Sequence, residues 1–129
     1  MGEKTYKENY MKPNYITTEL YGDTVPGIEY EGVEYARAEY TGQTVGKIRS
    51  LYFDEETKDC GALIDSEYDG HWWMPLAAKD WWKLRRCHAT DPNFTLYLET
   101  SFSEKKGLVT IRKLGIMMPK GEGDANDKA

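Results

Sequence analysis

The sequence predicts a mainly β protein, a small antiparallel β-barrel or curled sheet with one short α-helix at about residues 76–87. Three observations support this fold class: apolar residues alternate with a period of two, turn residues recur along the chain, and one segment has a helical period. A chain of 129 residues is long enough for one domain with a hydrophobic core. We expect a flexible arm at 1–14, a single β-rich domain at 15–118 and a disordered tail at 119–129.

The first strands are predicted from short β-forming segments separated by turn residues. They are "YITTELYG" at 15–22, "GIEYE" at 27–31 and "GVEYARAEYTG" at 32–42. A hairpin follows, with one strand centred on Ile48–Phe53, the turn "DEETKD" at 54–59 and a return strand that starts at Ala62–Asp65. Turns at such short, regular intervals are typical of a sheet that closes or half closes into a barrel.

One segment interrupts these strands with a helical period. Residues at intervals of four and three would form one side of the helix: Ala77, Trp81, Leu84 and His88. Pro75 stands where a proline is tolerated in a first helical turn, and "DPN" at 91–93 ends the segment. We predict that this side of the helix packs on the sheet.

The last two strands are predicted by an alternating pattern that changes once. One face of the first strand carries Leu96, Leu98, Thr100 and Phe102. The turn "SEKKG" follows, in which Gly107 can adopt a positive φ. In the second strand Val109 and Ile111 share one phase, whereas the opposite phase carries Leu114, Ile116 and Met118. This change of phase near Lys113 predicts a β-bulge.

All four tryptophans lie between residues 72 and 82. Adjacent residues of a helix point about 100° apart, so Trp81 and Trp82 cannot share one environment. Trp81 lies on the apolar side and is predicted to be a core residue. Trp82 lies among cations, and two interpretations are open for it. It covers a neighbouring loop or takes a cation–π contact from Lys79 or Arg86, or else it is the exposed anchor of a binding surface.

Trp72 and Trp73 lie in the segment "GHWWMP", which is predicted to be extended. Successive side chains of an extended chain point to opposite faces. We therefore expect one ring to enter the core and the other to lie on the outer face beside His71 or Met74. The register of the strand decides which ring points outward, and the sequence leaves both assignments open.

Several classes of protein have no basis in the sequence. No apolar run is long enough to span a membrane, and the N-terminus lacks the apolar region of a secretory signal, so we expect a cytoplasmic protein. Cys60 and Cys87 could pair or remain thiols. The histidine and cysteine spacing differs from that of zinc sites, and phosphate-loop, dinucleotide and serine-elbow motifs are missing. We expect no metal, no cofactor and no catalytic residue.

The charges are unevenly distributed along the chain. Residues 19–39 contain six acidic side chains and one arginine, whereas residues 76–113 contain eight basic and four acidic side chains. An acidic and a basic side of the molecule follow if these segments are apart in space. Because the net charge is −5, a long nucleic acid is an unsuitable partner.

The stretch 45–76 resembles the strand–turn–strand pattern of PRC-barrel domains. "VGKI" at 45–48 is similar to their opening, "YFDEET" at 52–57 to their acidic turn, "LID" at 63–65 to their second strand and "MPL" at 74–76 to their leucine–proline exit. Lys58 stands where that turn usually has a glycine. The resemblance implies a small β-barrel adaptor of the kind found in RNA-processing and electron-transfer assemblies, and it implies no particular activity.

We hypothesise that the protein acts by binding. The first hypothesis is a protein-interaction adaptor or inhibitor of bacterial or phage type, because indole beside arginine on a wet helix face is typical of binding hot spots.

The second hypothesis is a receptor for a nucleotide-like small molecule, held near residues 71–73 with arginines compensating its phosphates. The third is an enzyme that uses Cys87 or His88, with the pKa of the thiol lowered by neighbouring arginines. An exposed β edge would also allow a homo-oligomer. The candidate contact residues are His71, Trp72, Trp73, Trp82, Arg85 and Arg86.

Overall fold

The computed structural model describes residues 10–68 and 70–117, and it confirms the predicted fold class: a mainly β chain with a closed five-stranded barrel and one short helix. The strands are β1 (Tyr15–Leu20), β2 (Asp23–Tyr30), β3 (Val33–Arg37), β4 (Gly42–Phe53), β5 (Cys60–Ser66), β6 (Gly70–Leu76), β7 (Thr95–Ser103) and β8 (Leu108–Met117), and the helix is α1 (Ala78–Thr90). Residues 1–9 of the predicted arm and the whole predicted tail lie outside the described residues.

The barrel contains β6, β5, β4, β7 and β8 in that order. These neighbours are antiparallel, and β8 returns to β6, where Leu76 pairs with Val109. Strands that alternate in direction cannot close an odd-numbered ring without one parallel pair, so β6 and β8 are parallel. A second parallel pair joins β3 to β6. The sequence predicted an antiparallel sheet and did not indicate these two pairs.

Strands β1, β2 and β3 form an antiparallel meander that extends the barrel sheet beyond β6. Both of its turns have two residues, Tyr21-Gly22 and Glu31-Gly32, and all four have a positive φ. Two-residue hairpin turns of this kind need a left-handed backbone at both positions, which explains a glycine at the second position of each. The strand predicted between Gly32 and Gly42 is shorter than expected, because β3 ends at Arg37 and the next strand, β4, begins at Gly42.

The helix begins and ends later than predicted, at Ala78 and Thr90 instead of about residues 76 and 87. Pro75 does not lie in its first turn but in β6, opposite Gly61 of β5. One edge of β6 pairs with β3 at Trp72 and Trp73 and with β8 at Leu76. Pro75 lies between these two contacts, where the edge changes partner and a missing N–H donor is tolerated.

The predicted bulge is confirmed in β8. Glu99 of β7 pairs with Lys113 and the next residue, Thr100, pairs with Ile111, so Arg112 is the extra residue. The predicted turn at 54–59 is also confirmed, and Lys58 has a φ of 67° there. A left-handed backbone at Lys58 is unusual for a residue with a side chain and is the conformation that glycine adopts most readily.

The buried side chains form two clusters on opposite faces of the β5–β6 region. The first fills the barrel and includes the predicted inward residues Leu96 and Leu98 together with Trp72, Trp81 and Leu84. The second consists of Ile28, Tyr35, Tyr52, Leu63 and Trp73, and it lies between the barrel wall and the meander. The meander thus gives the small barrel a second buried layer.

Residues 10–14, the last part of the predicted arm, contact both the barrel and the meander. The backbone N–H of Met11 donates to the carbonyl of Leu51 at 3.2 Å, and the carbonyl of Asn14 accepts from Glu29 at 3.0 Å. The ring of Tyr10 meets that of Trp81 edge-on, with the centroids 5.2 Å apart. Tyr10 therefore lies beside α1, where the candidate site is found.

Candidate functional site

Trp81 and Trp82 lie in different environments, as the helical period predicts. Trp81 is 1% exposed, whereas Trp82 is 48% exposed. The Trp81 ring also contacts Phe53, and its Nε1 donates to the carbonyl of Gly61 at 3.1 Å. A Cβ atom at Gly61 would lie 2.6 Å from the Met74 carbonyl oxygen, so the strands can approach so closely only with a glycine there. Trp81 anchors α1 to the barrel and leaves Trp82 on the outer surface.

Arg85 is the cation beside Trp82. Its Cζ atom lies 5.3 Å from the centroid of the Trp82 ring, and its Nε donates to the Tyr10 hydroxyl at 3.2 Å. The prediction that Lys79 or Arg86 would make this cation–π contact is therefore wrong. All of these cations lie three or four helix positions from Trp82, so spacing alone allows each of them. Arg85, which makes the cation–π contact, also donates a hydrogen bond to Tyr10.

The outer surface of α1 is basic. We call it the α1 face and define it by Lys79, Trp82, Lys83, Arg85 and Arg86. The one acidic residue of the helix, Asp80, is 2% exposed, and its Oδ2 accepts the backbone N–H of Ile111 at 3.1 Å. Its Oδ1 lies 3.8 Å from the Lys83 Nζ atom. Because the only helix carboxylate is turned inward, the α1 face presents cations around an indole.

The sequence interpretation missed the role of Asp80. An acidic residue in the first turn of a helix interacts favourably with the helix dipole, and this position was a signal that the sequence contained. The hydrogen bond between Asp80 and Ile111 of β8 could not be predicted from the sequence, because it joins segments that are distant in the chain. Asp80 thus links α1 to β8, in addition to the anchor that Trp81 provides.

Trp72 and Trp73 do point to opposite faces, but neither reaches solvent. Trp72 is 4% exposed in the barrel cluster, and Trp73 is 7% exposed in the second cluster, where its Nε1 donates to the Tyr52 hydroxyl at 2.9 Å. The prediction that one of them lies on an open outer face is wrong. The β1–β3 meander covers the outer face of β6 and buries the ring that a bare barrel would expose.

His71 belongs to a third location, on the outer end of β6. Its Nδ1 lies 3.0 Å from the Asp65 Oδ1 atom, which also accepts a hydrogen bond from the Tyr35 hydroxyl at 2.7 Å. Burial, followed by the hydrogen bond to Asp65, raises the pKa of Tyr35 above its ordinary value. The predicted contact residues are thus divided: Trp82, Arg85 and Arg86 share the α1 face, and His71, Trp72 and Trp73 lie elsewhere.

The two cysteines are free thiols in environments that disfavour the thiolate. Burial raises the pKa of Cys60 to about 11, and its Sγ contacts the Leu76 carbonyl at 3.3 Å. Burial also raises the pKa of Cys87, and Arg86 offsets this only in part. Arg86 thus lowers the pKa of Cys87, as the third hypothesis requires, but burial outweighs this effect and the thiol is not activated. The neighbouring His88 has a buried Nδ1 without a hydrogen-bond partner among the described residues.

Neither the described residues nor comparison with known proteins assigns a further site. Within residues 10–68 and 70–117, no three His, Cys, Asp or Glu side chains are grouped to hold a metal ion. α1, the helix of the described chain, has neither the length nor the apolar composition needed to cross a bilayer. The chain matches no family model, no curated protein and no solved structure.

Proposed function

We propose that the protein is a small, non-enzymatic binding module that docks an acidic segment of a partner protein on the α1 face. The observation that carries this proposal is the half-exposed Trp82 ring with the Arg85 guanidinium over it. Tryptophan and arginine are the residue types that dominate binding hot spots. Trp81 is the indole that anchors the helix in the core, so the exposed Trp82 is not needed for that role.

The exposed half of Trp82 is a source of binding energy. A tryptophan side chain buries about 150–250 Å² when fully covered, so covering the remaining half removes on the order of 100 Å² from water. At about 25 cal/mol per Å² this burial contributes about 2.5 kcal/mol. A contribution of that size is typical of a hot-spot residue.

The α1 face is also ordered before a partner arrives. The ring of Trp82 stacks edge-on against the buried Trp81, with the centroids 5.1 Å apart. Arg85 is held between the Trp82 ring and the Tyr10 hydroxyl. Side chains that are already fixed lose less rotamer freedom on association, so more of the contact energy appears as affinity.

The charges of this surface select the partner. Lys79, Lys83 and Arg86 are exposed around Trp82, and among the described residues the buried carboxylate of Asp80 pairs with Lys83 alone, at 3.8 Å. An acidic protein segment is complementary to such a surface and is attracted to it at low salt. A long nucleic acid is a weaker candidate, because the net charge is −5 and the exposed acidic residues of β1–β3 would repel it.

This function would make the protein an adaptor or inhibitor of bacterial or phage type. We place it in the cytoplasm, because Cys60 and Cys87 are free and a reducing compartment keeps thiols in that state. The PRC-barrel resemblance is compatible with an adaptor role. The nucleotide hypothesis loses part of its support, because neither Arg85 nor Arg86 lines the cleft that Trp72 borders.

Site-specific crosslinking tests the proposal. A photoreactive phenylalanine analogue replaces Trp82 in one variant and Tyr68, which is 86% exposed, in the control. In cells that naturally contain the protein, we expect position 82 to capture one protein and position 68 to capture none. The captured contact peptide should be acidic. Equal capture at both positions, a nucleic acid as the crosslinked species, or a second copy of this chain would contradict the proposal.

A further inference from the structure

A second surface feature, separate from the α1 face, lies at the opposite end of the barrel. α1 connects the end of β6 to the start of β7 and therefore covers the end where β4 finishes and β5 begins. β4 and β6 both start at the other end. A cleft of about 380 Å³ opens there, lined by Leu20, Tyr21, Glu39, Tyr40, Gln43 and Trp72. We call it the barrel-mouth cleft.

Trp72, which lines this cleft, carries a hydrogen-bond donor that has no partner among the described residues. The residue lines the cleft and is 4% exposed, and its Nε1 is buried without a hydrogen-bond partner among the described residues. The other buried indole donors are satisfied, since Trp73 donates to Tyr52 and Trp81 to Gly61. A buried N–H without an acceptor costs about 1–3 kcal/mol. Because the Nε1 atom is sealed from solvent, a ligand acceptor in the cleft would reach it, and remove that cost, after a small movement of the surrounding side chains.

The remaining walls define the shape and charge of the occupant. The rings of Tyr40 and Trp72 lie 5.2 Å apart at 56°, and Tyr21 stands at the rim with 90% of its surface exposed. Aromatic walls of this kind favour a flat ring. Among the described residues that line the cleft, Glu39 is the charged one, and Arg37 engages its carboxylate at 2.6 Å. The described walls offer no cation to an anionic ligand, so the occupant should be uncharged.

We infer that the barrel-mouth cleft binds an uncharged aromatic or heteroaromatic small molecule whose carbonyl or ring-nitrogen acceptor receives the Trp72 Nε1 hydrogen bond. Mouths of small β-barrels are common ligand sites, and the volume lies in the usual range for such sites. This class excludes the phosphate-bearing nucleotide that the basic segment of the sequence suggested. The inference is independent of the α1 face, because no residue is shared by the two surfaces.

Three small probes with one ring system test the inference. 1-Indanone carries a carbonyl acceptor, indane lacks it, and indane-2-carboxylate carries a negative charge. The Nε1–H resonance of Trp72 is followed by NMR in the ¹⁵N-labelled full chain and assigned through its nuclear Overhauser contacts to Tyr40. We expect a saturable shift with 1-indanone, roughly three- to tenfold weaker binding of indane, which lacks the acceptor of one hydrogen bond, and at least tenfold weaker binding of the carboxylate.

Matched variants locate the binding energy. Trp72→Phe keeps a ring but removes the donor, and we expect 1-indanone to bind roughly three- to tenfold more weakly, the range of one net hydrogen bond. Trp73→Phe removes an indole from the second cluster and should leave the affinity unchanged. If Trp72→Phe does not fold, Tyr40→Leu should weaken the same titration by removing one aromatic wall.

Three results would overturn the inference. The first is an unmoved Trp72 Nε1–H resonance with all three probes in a folded protein. The second is equal affinity for indane and 1-indanone, since the acceptor would then have no role. The third is a preference for the carboxylate, which would require a cation that the described walls lack.

Discussion

At the scale of single residues, the two adjacent helix tryptophans should differ sharply in their effect on stability. Trp81→Ala removes a buried ring and its hydrogen bond to Gly61, so we expect a loss of about 3–5 kcal/mol in the free energy of unfolding. Trp82→Ala removes a half-exposed ring and should cost about 1 kcal/mol or less. Urea unfolding of both variants measures the difference. Equal losses would mean that Trp82 is a structural residue.

The sequence predicted residue environments where local geometry decides them. The separation of Trp81 from Trp82 follows from the turn of the helix, and it was predicted correctly. The choice of Arg85 as the stacked cation was not predictable, because Tyr10, which accepts its hydrogen bond, lies 75 residues away in the chain. The burial of Trp73 was missed for the same reason, since distant strands cover it.

At the scale of elements, Asp80 joins α1 to β8 of the barrel. Asp80→Ala leaves the Ile111 N–H buried without its acceptor, so we expect a loss of roughly 1–3 kcal/mol in stability. Lys83→Ala is the matched control: it removes only a half-exposed partner 3.8 Å away and should cost about 0–1 kcal/mol. Chemical denaturation of both variants gives the comparison. Similar losses would assign the effect to the ion pair and not to the backbone contact.

The strands were predictable because the alternation of apolar residues and the turn residues are visible in short stretches of the sequence. The period of two placed Leu96 and Leu98 inside, and the change of phase located the bulge that the pairing of β7 and β8 shows at Arg112. The parallel pairs β3–β6 and β6–β8 were not predictable, because they follow from barrel closure and from the docking of the meander. The start of α1 was misplaced because Pro75 is compatible with both a first helical turn and a strand that changes partner.

At the scale of the whole molecule, the barrel separates two surfaces that could work without each other. The helix end carries the Trp82 indole among cations, and the opposite mouth carries aromatic walls that include Trp72, whose buried Nε1 has no hydrogen-bond partner among the described residues. The acidic segment 19–39 lies mainly in the meander, whereas the exposed acidic turn at 54–59 lies at the α1 end of the barrel. If the proposed acidic partner binds the cations of the α1 face, its association rate should fall as salt rises.

The most direct test of the central claim is the affinity of the crosslinked partner for two variants, measured by titration calorimetry at fixed salt. Trp82→Ala should weaken binding by about thirtyfold, corresponding to a hot-spot loss of about 2 kcal/mol. Tyr68→Ala removes an equally accessible aromatic ring outside the α1 face and should leave the dissociation constant unchanged. Unchanged affinity of the folded Trp82→Ala protein would show that the partner binds elsewhere and would contradict the account.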